Sequence, residues 1–255
     1  MGWFLVLVCG VLSYLAVLRV LLVTRNPNFF PTLLFIGSVT VPLATMLFAS
    51  SGRRGPLAPG SVLALVAVAG GVVGTLAAGL LEYEALRQLS FLPMILVGLI
   101  EETAKLAVPA VVLLFSRRAM SWAGVAVGVA SATGFATLET MGYGFVTLIA
   151  SAGDIAAVDS TLLLRGLLSP ACHIAWTGLT VSAMWRLPAR GSSIRWFVVA
   201  FALAVVLHAA WDQSTSVPVH TVIAVLSSGV LLGVIAGARR RGPGRLSDAV
   251  LGSAG

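Results

Sequence analysis

Residues 91–115 read FLPMILVGLIEETAKLAVPAVVLLF, an apolar run interrupted at its middle by Glu101, Glu102 and Lys105. An α-helix needs about 20 residues to cross roughly 30 Å of hydrocarbon, so this stretch is long enough to span a bilayer. Its three charges fall where a membrane helix tolerates them least. Each buried Asp, Lys or Arg costs about 2.5–3.5 kcal/mol on insertion scales, so such groups are expected to face one another or a wet cavity.

Working outward, seven further apolar stretches predict an all-α, polytopic transmembrane bundle of about eight spans. They cover 2–23, 30–50, 61–81, 91–115, 122–147, 161–185, 196–212 and 217–238. Turn residues fill the gaps, among them Asn26-Pro27-Asn28 and Ser151-Ala152-Gly153-Asp154. The chain reads as one bundle over 1–238, with a short basic tail at 239–255 expected to be disordered. Of its 255 residues 58% are hydrophobic and 10% charged, against about 25% charged in soluble domains. A soluble globular fold is therefore excluded.

The formal charge of +7 does not point to nucleic acid. The arginines sit in short clusters between apolar runs and form no basic face. Loops after spans 2, 4 and 6, together with the tail, hold eleven arginines (53, 54, 117, 118, 186, 190, 195, 239, 240, 241 and 245). The alternate loops hold two, Arg25 and Arg87. The positive-inside rule then puts both termini in the cytoplasm. Cys9 and Cys172 both lie in apolar segments and predict no disulfide. Glycines at four-residue spacing (70/74, 124/128 and 229/233/237) are candidates for close helix contacts.

The remaining ionisable groups in apolar stretches define the candidate site. Phe135, Glu139 and Tyr143 share one helical stripe at i, i+4, i+8. Arg165 sits near one end of the sixth span, His173 near its centre after Pro170, and Thr177 a turn further. His208 and Asp212 stand at i, i+4 in the seventh. Adjacent glutamates point about 100° apart on a helix, so Glu101 and Glu102 are not expected to aim at one atom. Lys105 is placed to neutralise one of them, leaving the other as a general base toward water. His208 with Asp212 reads as half of a metal site or as a carboxylate-oriented imidazole, and His173 could complete either.

In this order, EExxK (Glu101, Glu102, Lys105), FxxxE (Phe135, Glu139) with Tyr143, SPACHIAWTG around His173 and HAAWD (His208, Asp212) resemble the PrsW family of intramembrane proteases. That family is related to the type II CAAX prenyl endopeptidases. The resemblance covers about 91–212. It implies peptide-bond hydrolysis within or at the edge of the membrane, on a membrane-anchored protein. The preference for Arg over Lys, with abundant Ala and Gly, points separately to a GC-rich bacterial genome and so to a bacterial cytoplasmic membrane. The resemblance also implies Glu101 or Glu102 as the base, His173 positioning the water, and His208 with Asp212 polarising the carbonyl or binding metal. Glu139 stands where the CAAX enzymes have histidine. A Zn²⁺ site drawn from His173, His208, Asp212 and Glu139 is therefore an expectation and not a requirement.

Blander readings accompany each residue. Glu101 and Glu102 could serve only as ion-pair partners of Lys105 or Arg165, and Arg165 could snorkel to the interface. Phe135 and Tyr143 read as packing scaffold, Lys105 as electrostatic support, and His220 as interfacial. A proton- or cation-coupled transporter could use the same buried groups. Against it, no internal repeat and no matched pair of broken helices is apparent.

Overall fold

The computed structural model describes residues 2–52, 55–91, 93–115, 123–188 and 194–241. Among them it is entirely helical: α1 (Gly2–Thr24), α2 (Phe30–Ser50), α3 (Gly60–Leu89), α4 (Met94–Phe115), α5 (Gly124–Ala150), α6 (Ile155–Leu168), α7 (His173–Met184), α8 (Ile194–Gln213) and α9 (Val217–Arg241). Short 3₁₀ turns precede α2 and α7. The outside is aliphatic, with Leu65, Leu76, Val146 and Leu164 each more than 60% exposed, while Glu102, Lys105 and His208 are almost wholly enclosed. This inversion of a water-soluble protein suits a lipid solvent.

Among the described residues six segments are long and apolar enough to cross a membrane: Gly2–Thr24, Pro27–Ser50, Gly60–Leu89, Ile155–Met184, Ile194–Gln213 and Val217–Arg241. The other two predicted spans form helices of 22 and 27 residues, α4 and α5, which carry Glu101, Glu102, Lys105 and Glu139. Helix α5 is the hub. Its first fourteen residues, GVAVGVASATGFAT, are buried nearly all round. Small side chains let α2, α3, α4 and α7 close on it from every side. A Cβ on Gly70 or Gly71 of α3 would strike Ser131 or Gly134 of α5, and one on Gly128 would strike Val181 of α7. Two of the three glycine stripes therefore mark helix contacts. Gly229, Gly233 and Gly237 meet nothing within 4 Å.

Three boundaries differ from expectation. The third span, predicted to end at 81, continues to Leu89 and stops at Ser90, whose φ of 61° is left-handed. The sixth span is two helices, because Ser169–Ala171 winds as a 3₁₀ turn and Cys172 takes φ −112°, ψ −107°. Pro170 supplies no N–H for a continuous ladder, so the axis restarts and His173 becomes the first residue of α7. The tail does not begin at Arg239: α9 runs through Arg239–Arg241. Arg239 bonds the carbonyls of Ser51 and Phe48 at 2.7 and 2.5 Å and lies over the Phe48 ring, tying α9 to the C-terminus of α2. Arg53, Arg54, Arg117, Arg118, Arg190, Arg245 and the tail from 242 lie outside the described residues.

Candidate active site

A proline prepares the centre of the site. Pro109 in α4 has no N–H to give to the carbonyl of Lys105 one turn earlier. Ser131 of α5 donates its hydroxyl to that carbonyl at 2.9 Å. An orphaned acceptor is thereby satisfied, and α4 is pinned against α5 at the residue whose side chain organises the cluster.

The Lys105 side chain is completely enclosed. Its Nζ lies 2.9 Å from Glu102 Oε1, 3.1 Å from Glu101 Oε2 and 2.9 Å from His173 Nδ1, and it sits 4.3 Å above the centre of the Phe135 ring. Here the expectation about adjacent carboxylates is corrected. Both glutamates reach the same ammonium, and both also reach His208: Glu102 Oε1 to Nδ1 at 3.0 Å and Glu101 Oε2 to Nε2 at 3.5 Å. Their Cα–Cβ bonds diverge as helix geometry dictates. Three side-chain torsions are enough to bring the oxygens back together.

The two glutamates are nonetheless unlike. Glu102 is bonded by Lys105, His208 and, at 3.4 Å, the Thr177 hydroxyl. Glu101 Oε2 has charges beside it but no hydrogen bond of acceptable alignment.

His173 bridges two halves of the cluster. An ammonium only donates, so Nδ1 accepts from Lys105 and the ring hydrogen sits on Nε2. That nitrogen lies 3.0 Å from Glu139 Oε2. Glu139 Oε1 holds Arg165 at 2.7 Å, and the guanidinium lies 3.7 Å over the Tyr143 ring. On the other side, His208 Nε2 is 3.2 Å from Asp212 Oδ2. All ten candidate residues from the sequence, drawn from α4, α5, α6, α7 and α8, therefore form one connected assembly. A cavity of about 110 Å³ opens beside it, bounded by Arg165, His173, Asp212, Thr140 and His220. His220, expected at the interface, is half-buried and stacks on Trp211 at 4.3 Å.

Two further residues join the site beyond those the sequence singles out. Glu82 of α3 lies beyond the predicted end of its span. Its Oε1 is buried without a hydrogen-bond partner, within electrostatic reach of Glu101, Glu139, His208 and Lys105. Trp176 of α7 packs its ring on both His173 and His208, at 5.9 and 5.3 Å, and anchors its indole N–H on Ser227 of α9. Its spacing of three from His173 was the available clue.

Four carboxylates (Glu101, Glu102, Glu139 and Asp212) face one ammonium and one guanidinium. With neutral imidazoles the assembly carries two excess negative charges, which two imidazolium protons or one divalent cation would balance. Glu101, His173 and His208 each offer a ligand atom, and the three lie within 4.8 Å of one another. Two imidazoles and a carboxylate are the donor types a divalent metal takes, and holding one would require His173 to release Lys105 or Glu139 and His208 to release Glu102 or Asp212. Of the expected metal set, His173 and His208 belong to this trio. Asp212 and Glu139 adjoin it through the histidine rings.

No curated protein and no solved structure matches the chain. Residues 58–238, well over half of the sequence, match the family described as PrsW family intramembrane metalloprotease, and every residue of the assembly lies inside that range. The chain is an integral membrane protein and belongs to the PrsW family.

Proposed function

We propose that this protein is an intramembrane endopeptidase that hydrolyses a peptide bond of a membrane-anchored protein. In this reading eight spans cross a bacterial cytoplasmic membrane with both termini inside. The observation that carries it is the asymmetry of the two glutamates: Glu102 has three hydrogen-bond partners, and Glu101 keeps a buried oxygen beside Lys105 and His208 with no aligned donor.

Glu101 takes the proton from a water seated against His173 and later returns it to the leaving amine. Glu102 and Asp212 fix the two nitrogens of His208 and so hold its ring in place. Arg165 borders the cavity, and its Nε is buried without an acceptor. That donor is free for the oxyanion that develops as the carbonyl is attacked. Glu139 keeps Arg165 and His173 on one side of the cavity.

A metal, if zinc held by Glu101, His173 and His208, would acidify a bound water and polarise the carbonyl. Metal content separates the two roles of Glu101. A Glu101→Gln protein that retains the wild-type metal stoichiometry has lost a base, and one that loses the metal has lost a ligand.

The test is reconstitution with a single-pass reporter and mass analysis of the fragments. The proposal predicts a new terminus within or at the edge of the membrane segment, absent with Glu101→Gln. Ion flux in sealed vesicles with no cleavage would instead favour a transporter.

A further inference from the structure

On the lipid-facing flank of α7, α8 and α9, two cavities share a wall and form one groove. The larger, about 490 Å³, lies between Leu203 of α8 and Val230 of α9 and reaches from Trp176 to Arg186. The second, about 380 Å³, continues past Arg186 along α9 to Arg241. Ser182, Arg186, Val230 and Val234 line both. Two guanidiniums stand at one end, the rest of the lining is mostly apolar, and no carboxylate among the described residues borders either cavity. Gly233 and Gly237 leave the α9 wall bare of side chains there.

The apolar wall runs roughly 15 Å from Trp176 to Arg186, a length that an extended hydrocarbon chain can follow. Charge selects the headgroup, since paired guanidiniums bind phosphate oxygens in fork geometry and basic pockets between membrane helices suit anionic lipids.

We propose that this groove is a binding site for an anionic phospholipid, with an acyl chain between α8 and α9 and the phosphate between Arg186 and Arg241. The chain end then rests on Trp176, whose ring also contacts the His173 and His208 rings. The lipid is thus a backing for the polar assembly, and the proposal stands whether or not that assembly is a peptidase.

Purified protein in nanodiscs of equal parts phosphatidylglycerol and phosphatidylcholine, released into neutral detergent, is analysed by native mass spectrometry. Wild type is expected to retain phosphatidylglycerol in preference to phosphatidylcholine. Arg186→Gln with Arg241→Gln should lower that retention about tenfold or more. Leu203→Trp, which fills the groove and leaves both arginines, should displace both lipids and serves if the double variant fails to insert. Equal retention by wild type and Leu203→Trp overturns the proposal. So does capture of a transmembrane peptide, in place of lipid, by a photo-crosslinker at Val230.

Discussion

Two regions of this molecule bury polar groups among apolar helices, and they do so differently. Where α1, α2 and α6 meet, a cluster of Leu21, Leu33, Leu34 and Val158 encloses one polar contact, the Tyr14 hydroxyl on Asp159 at 2.6 Å. Donor and acceptor are matched one to one. Where α4, α5, α7 and α8 meet the end of α6, four carboxylates share two permanent cations and two imidazoles. Glu101, Glu139 and Arg165 each keep a buried polar atom without an aligned partner. A matched pair holds helices together. An unmatched cluster costs stability and is expected where groups must exchange protons or ligands.

The contrast breaks most visibly at Lys105. Lys105→Met removes the ammonium that both glutamates and His173 share, and should destabilise the protein by about 3–5 kcal/mol in thermal or denaturant unfolding. Adding Glu102→Gln to it should recover part of that loss, because the two changes remove opposite charges from one contact. Strict additivity would mean the pair is not coupled. Next is Asp212→Asn, which frees one side of His208 and should lower turnover of an anchored reporter about 10–100-fold with the fold retained. Unchanged turnover would remove Asp212 from the site.

Ser131→Ala tests the link between backbone and cluster. It leaves the Lys105 carbonyl without its partner and should cost about 1–3 kcal/mol. Adding Pro109→Ala in that background, which supplies a helical N–H, should offset much of the cost. The smallest effect is expected in the other region. Tyr14→Phe should cost about 1–2 kcal/mol and leave turnover at the wild-type level. A large loss of activity there would mean that the matched pair and the unmatched cluster are not separate.

Much of the site was legible in the sequence because an ionisable side chain inside an apolar run has few places to go. Glu101, Glu102, Lys105, Glu139, His173, His208 and Asp212 could be grouped before any coordinates, and the structure brings them together. What escaped depends on three-dimensional detail that spacing does not encode. Glu82 sits among Tyr83, Glu84 and Arg87, a stretch that reads as a solvated helix end, and Arg87 and Glu84 do form an exposed ion pair at 3.3 Å. The break before α7 was hidden because proline is tolerated in membrane helices, so Pro170 did not by itself announce a new axis. The shared aim of Glu101 and Glu102 is hidden because their Cα–Cβ bonds diverge, and the length of the side chains decides where the oxygens go. The stripe at Gly229, Gly233 and Gly237 fits the same spacing rule as the two stripes that pack, and only the neighbours distinguish them.

The division of labour between the adjacent glutamates is tested most directly by comparing Glu101→Gln with Glu102→Gln for both turnover and unfolding temperature. The account predicts that Glu101→Gln lowers reporter cleavage about 10²–10⁴-fold at near wild-type stability. Glu102→Gln should lower cleavage and also destabilise the fold, since it weakens contacts to Lys105 and His208. Wild-type cleavage by Glu101→Gln would contradict the account.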